Sequence, residues 1–170
     1  HDLPVAHVVI APLRRGLESP IDQEELIAET QATAHELLAV AKIAPSAVQR
    51  VWRHLTDAYF LRHTAEEIAW HTALIAERED QAEDGPIVSV RQQTERGGTA
   101  ILTYTPHRQH SFARTTAVVD QLGLNIVDAR ITPTANGFSI ETYLVLEGSG
   151  GTIADSDRLR EIENALGNNL

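Results

Sequence analysis

The chain has 170 residues, 42% of them hydrophobic and 22% charged, with no cysteine, no methionine and a formal net charge of −10 at pH 7. That length allows one ordinary domain or two small ones, each with a core. The acidic balance argues against a nucleic-acid backbone or an anionic membrane as the main partner, and the missing cysteines exclude a disulfide framework, a thiolate nucleophile and a thiolate metal site. No window approaches the roughly 18–20 apolar residues that a membrane span needs, and residues 5–13 are too short and lack the flanks of a signal peptide. A chain that opens at His1 and lacks methionine reads as an excised or processed piece of a longer protein.

The stretch before Arg14 reads as irregular. Ser19-Pro20-Ile21-Asp22 then announces a helix, with Asp22 as the expected cap, Glu25 as its partner, and an apolar face from Leu26 and Ile27 through Leu37 and Leu38 to about Ala41. Ala44-Pro45 restarts the chain, because proline suits a first helical turn, and Val48, Val51, Trp52 and Leu55 follow at helical spacing. Thr64 and Glu67 spell a capping box, with Ile68, Trp70, Leu74 and Ile75 behind it. The first half therefore predicts three helices.

Composition changes near Gly85-Pro86, where the polar run 77–84 ends and β-branched residues begin. The expected division is a helical segment over 1–84 and a second domain over 85–170. In the latter, 87–92 reads as a strand, 95–98 as a turn and 99–105 as a second strand, the two expected to lie side by side as a hairpin that extends the sheet. A helix follows over 111–122, stopped by Gly123. Residues 125–132 alternate, Ile126, Asp128 and Arg130 against Val127, Ala129 and Ile131. Ala135-Asn136-Gly137 supplies a hairpin turn. The return strand places Phe138, Ile140 and Thr142 on one face and Ser139, Glu141 and Tyr143 on the other, and a last helix begins near Asp155 or Ser156 and carries Leu159, Ile162 and Leu166. The order is ββαββα, an α+β class.

Two clusters invite chemistry. His63, Glu67 and His71 recur every four residues, a spacing that can align metal ligands on a helix. If Thr64 caps that helix, however, His63 falls outside it and Glu67 is committed to the box, which leaves a well-capped helix with Trp70 packed inside. His107, Arg108 and His110 cluster in a loop ahead of a helix start; the functional reading is an anion or carboxylate site with Arg108 as charge partner, and the alternative is a solvated loop with Ser111 as cap. Asp120 and Asp128 read as isolated carboxylates, one on a helix surface and one on a strand face. Gly97-Gly98 is a hairpin turn rather than a phosphate loop, since no Lys-Ser/Thr follows, and the hydroxyl residues lack a nucleophile elbow.

The β-α-β-β-α order with a short loop before its first helix resembles an ACT domain, a ferredoxin-like regulatory fold. The phrases RRGLESPIDQEELIAETQ (14–31), DAYFLRHTAEEIAWHT (57–72) and LGLNIVDARITPTANGFSIETYLVLE (122–147) resemble the bifunctional uridylyltransferase/uridylyl-removing enzymes that modify the nitrogen-signalling protein PII. The resemblance implies a helical connector followed by the first of two ACT domains, with an antiparallel sheet, helices on one face and the usual fourth strand missing or supplied by a partner. It implies a regulatory fragment of a cytoplasmic enzyme, with glutamine sensed by the ACT region. It also implies PII as the partner of the whole enzyme and magnesium at a transferase centre elsewhere. Neither enzymatic centre has its motif here: no catalytic or metal residue is assigned, no cofactor is expected in this fragment, and His1-Asp2 spells an HD pair without companions. The ligand residues implied are Arg108, His110 and Ser111 in the loop, with Asn125 and Ile126 lining the same cleft in an ACT pair. The family's Asp-Arg-Pro-Gly-like loop is kept only at its arginine, Pro and Gly being replaced by Gln109 and His110. The alternative is therefore an interaction module, a homodimer paired through the ACT sheet that binds no small molecule.

Overall fold

A computed structural model describes residues 20–83, 85–93 and 96–170. The irregular stretch expected before Arg14, the His1-Asp2 pair and the first residue of the turn at 95–98 lie outside the described residues. The chain separates into two units: a helical one that ends at Gly85 and takes in Thr134–Gly137, and a second formed by Pro86–Pro133 with Phe138–Leu170.

The helical unit contains α1 (Pro20–Val40), α2 (Pro45–Trp52), α3 (Asp57–Arg62) and α4 (Ala65–Asp80). Helix α1 has already begun at Pro20, so Asp22 lies inside the first turn rather than capping it; its carboxylate there faces the positive end of the helix dipole. Lys42, at φ 62°, ends the helix, its amide bonding to Ala39 O at 3.0 Å. Among the described residues four helices replace the three expected, because Thr56 caps a short α3 of 6 residues, its side chain accepting from the Tyr59 amide. The box at Thr64 and Glu67 forms as expected, both bonds at 3.2 Å. The interior of α4 differs from the expected apolar face. Ile68, Ile75 and Ala76 are buried, but so are His71 and Thr72, while Trp70 and Leu74 are half-buried. Thr72 accepts a 2.9 Å bond from the Trp52 indole, whose ring lies tilted against His35 at a centroid distance of 4.4 Å.

The second unit is a sheet with two helices: β1 (Ile87–Gln93), β2 (Gly98–Pro106), α5 (Ser111–Gln121), β3 (Leu124–Pro133), β4 (Phe138–Glu147) and α6 (Ser156–Asn169). The 4-stranded sheet has the order β1-β2-β4-β3, antiparallel throughout. Its fourth strand is thus drawn from before β2, where Ile87 opposes Tyr104 and Gln93 opposes Gly98, rather than from after α6. One face packs against α5 and α6: Ile101, Ala129, Tyr143 and Val145 of the strands meet Val118, Val119, Ile162 and Leu166 of the helices. Each of the valine, leucine and isoleucine side chains among them contributes roughly 1.5–3 kcal/mol on leaving water. This is the ACT-like, ferredoxin-type architecture that the resemblance implies.

The strand faces need two corrections. A β-bulge interrupts β3 between Ile126 and Asp128, so Ile126 packs on the helix-facing core instead of sharing a face with Asp128 and Arg130. The inserted Val127 is 46% exposed. Asp128 is also not isolated: buried, it receives Arg96 at 2.5 Å and Arg130 at 3.2 Å. In β4 the division by face holds as read: Ser139, Glu141 and Tyr143 share the face that opposes Thr105, Thr103 and Ile101, and Tyr143 packs against Val118 and Val119 of α5.

Candidate functional site

Strand β2 ends at Pro106, and the loop 107–110 delivers the chain to α5. His110 stands at the N-cap with φ 70° and ψ 12°, and its side chain makes no capping bond. This is the left-handed conformation that glycine adopts freely, at the position where the resembling loops carry glycine. Ser111 does not cap either; its hydroxyl donates back to Arg108 O at 2.7 Å, beside its own amide at 3.3 Å. The loop therefore leaves backbone amides at the positive end of α5 available to an anion, with the Arg108 side chain exposed next to them.

The five residues implied as ligand contacts do not meet within one chain. Arg108, His110 and Ser111 follow the last rung of β2, Pro106↔Phe138. Asn125 and Ile126 sit beside Leu146 and Val145, and Val145 opposes Thr99 at the first rungs of β2. The separation is the length of the strand, roughly 23 Å at 3.3 Å per residue over the rungs from Thr99 to Pro106.

Directly inside the loop, the helix-facing layer of the sheet turns polar. Glu141 is 3% exposed, Ser139 and Thr115 are 0% exposed, and Thr103 is 1% exposed. The Tyr143 hydroxyl donates to Glu141 Oε2 at 2.7 Å. Burial pushes the Glu141 carboxyl above the usual carboxylate range, and the bond from Tyr143 and the nearby His107 only partly offset this. Burial, with the neighbouring carboxylate second, also raises Tyr143, which keeps it a donor. The hydroxyl of Ser139 has no hydrogen-bond partner among the described residues; Thr103 Oγ1 lies in the field of the same carboxyl without a well-aligned bond. Sequence reading passed over this cluster because alternation on β4 sorted its residues by face without revealing which face is covered. The signal it did contain was an acid, Glu141, in the middle of a strand with no other charge before its last residue, Glu147.

In the helical unit, His63 and His71 lie 5.3 Å apart, both buried, and Tyr59 bridges them: its hydroxyl bonds His71 Nδ1 at 2.7 Å and its carbonyl bonds His63 Nδ1 at 2.9 Å. Glu67 turns to the capping box. Among the described residues no group of three histidines and acids is arranged to hold a metal, and no helix is long and apolar enough to cross a membrane.

Comparison with known proteins gives one consistent answer. Residues 22–74 match the family model described as the uridylyltransferase GlnD fifth domain. Over 158 residues, 91% of this chain, it is 45% identical to a bifunctional uridylyltransferase/uridylyl-removing enzyme of Pseudomonas savastanoi pv. phaseolicola. Over the same extent it is 43% identical to those of Pseudomonas putida and Ectopseudomonas mendocina. The chain spans 17% of the length of these relatives.

Proposed function

We propose, for a chain homologous to one segment of the bifunctional uridylyltransferase/uridylyl-removing enzymes, that it is the regulatory segment of such an enzyme. Its helical unit joins the catalytic domains to a sheet that senses glutamine. The observation that carries the reading is the identity of 45% across 91% of the chain, which runs through both units. On this reading the whole protein attaches uridylyl groups to PII and removes them in the cytoplasm, and magnesium serves its transferase domain rather than these residues. A ligand biases two opposed activities only by binding one domain arrangement better than the other. The exposed Arg108 beside the start of α5 suits the carboxylate of such a ligand.

Titration calorimetry of the chain with L-glutamine tests this, and Arg108→Ala should reduce the heat. Absence of heat at millimolar glutamine for the unaltered chain would leave the second reading, an interaction module that pairs through its sheet. The distance between the loop and Asn125 within one chain is the observation that favours pairing. Sedimentation with and without glutamine separates the cases: sensing across a pair requires the ligand to shift the monomer–dimer balance, whereas simple pairing does not.

A further inference from the structure

We propose that Glu141, with the hydroxyls of Ser139 and Thr103, is a buried subsite for the ammonium group of an amino-acid ligand held beneath the 107–110 loop. This deepens the sensing role above and rests on it. The three residues face α5 in register, Thr103 opposite Glu141 and Thr105 opposite Ser139, on the rungs that immediately precede the loop. A layer that served only to fill space would continue the pattern of Ile101, Tyr143 and Val145 toward the sheet end. Here instead a carboxyl that is 3% exposed accepts from Tyr143 at 2.7 Å with the Thr103 hydroxyl beside it, and the buried hydroxyl of Ser139 has no hydrogen bond among the described residues. Leaving such a group unsatisfied costs roughly 1–3 kcal/mol.

What the cluster lacks is a cation with several donors. An ammonium has three N–H donors and no acceptor, and it meets here one carboxylate and two hydroxyl oxygens. The ordering of charge along the site fits a zwitterion. The negative Glu141 lies within the layer, and the positive Arg108 and the α5 amides lie outside it at the loop, so the ammonium enters first and the carboxylate stays at the mouth. The charged and titratable groups facing Glu141 are Tyr143 on its own strand and His107 on the loop; Thr103 on β2 and Thr115 on α5 are neutral. Access requires displacement of the exposed loop, held at its α5 end by the Ser111 bonds to Arg108 O. Burial disfavours the ionised form of Glu141 and a bound cation favours it, so binding lowers the proton affinity of the carboxyl.

The test is calorimetry of the chain with L-glutamine, with each other proteinogenic amino acid, and with glutaramate, which keeps the carboxylate and amide of glutamine but lacks its amine. Runs in buffers of different ionisation enthalpy read proton release. The expected result is binding that releases protons at mildly acidic pH, weakened roughly tenfold to a hundredfold for glutaramate and by Glu141→Gln, with a smaller loss for Ser139→Ala. Circular dichroism melts verify that both variants fold. If Glu141→Gln and Ser139→Ala bind as the unaltered chain does, the subsite is wrong while the sensing role stands. If another amino acid binds in place of glutamine and loses affinity with Glu141→Gln, the subsite stands and the glutamine assignment falls. If no amino acid binds, both fall.

Discussion

At position 110 the backbone asks for a residue that the sequence does not supply. His110 sits at φ 70°, in a region that costs a non-glycine residue on the order of 1–2 kcal/mol, although histidine tolerates it better than most. His110→Gly should therefore leave the thermal midpoint unchanged or raised, while the β-branched His110→Val should lower stability by about 1–2 kcal/mol in urea unfolding. Glu141 makes the opposite kind of compromise. Its carboxyl titrates above the ordinary 4.5 when folded, so the folded state binds its proton more tightly than the unfolded state does. That contribution to stability is complete below the unfolded pKa and is lost as pH rises through the folded one. Glu141→Gln should accordingly melt at a higher temperature than the unaltered chain at neutral pH, with the advantage shrinking towards acid. An equal melting temperature at pH 7 would mean that the buried charge costs nothing. Individual residues were legible where their chemistry is local, as with Thr64 and Glu67. They were not legible where it depends on a partner far along the chain: Asp128 looks isolated until Arg96 folds back onto it.

Elements were read more faithfully than their faces. Strand and helix limits follow periodicity and punctuation, and Gly123, at φ 73°, ends α5 where the sequence says it should. Alternation failed at one point, Val127, because a single inserted residue reverses the phase of a strand and carries no mark in the sequence. Helix α3 escaped notice because 6 residues are too few to display a 3.6-residue period. Two element junctions give sharp predictions. Arg158 ties α6 to the end of β4 and to α5, donating to Glu147 at 2.9 and 3.2 Å, to Glu161 at 3.0 Å, and to the Leu122 carbonyl. Arg158→Met keeps the aliphatic stem and should cost about 1–2 kcal/mol in urea unfolding. Gly148, just beyond β4, has room for no side chain: a Cβ there would lie 2.7 Å from the Gly123 carbonyl oxygen. Gly148→Ala should cost roughly 1–3 kcal/mol through backbone displacement, and the shift should appear in the amide resonances of both glycines.

The whole chain carries a net charge of −10, and the ion pairs described in its helical unit are long, such as Arg50 with Glu79 at 3.9 Å and with Asp80 at 3.6 Å. Self-repulsion then outweighs such pairs, each worth under about 1 kcal/mol. Raising salt from about 0.01 to 0.15 M, which shortens the screening length from about 30 to about 8 Å, should raise the melting temperature; a fall would mean that specific ion pairs dominate. Architecture was legible at this scale because the order of elements and the family phrases pointed to the same fold. So was the source of the added edge strand: a short turn between 87–92 and 99–105 sets the two side by side, which is the pairing that β1 and β2 make.

That fourth strand also sets a schedule. The β1–β2 hairpin pairs residues close in sequence, closing a short loop in a step that takes on the order of microseconds, before α5, β3, β4 and α6 are needed. Contacts of low sequence separation form early and cheaply. By the time α6 docks, the free flank of β2 has been claimed, so any later segment seeking that flank must first peel away a finished hairpin. The edges left for newcomers are the outer sides of β1 and of β3.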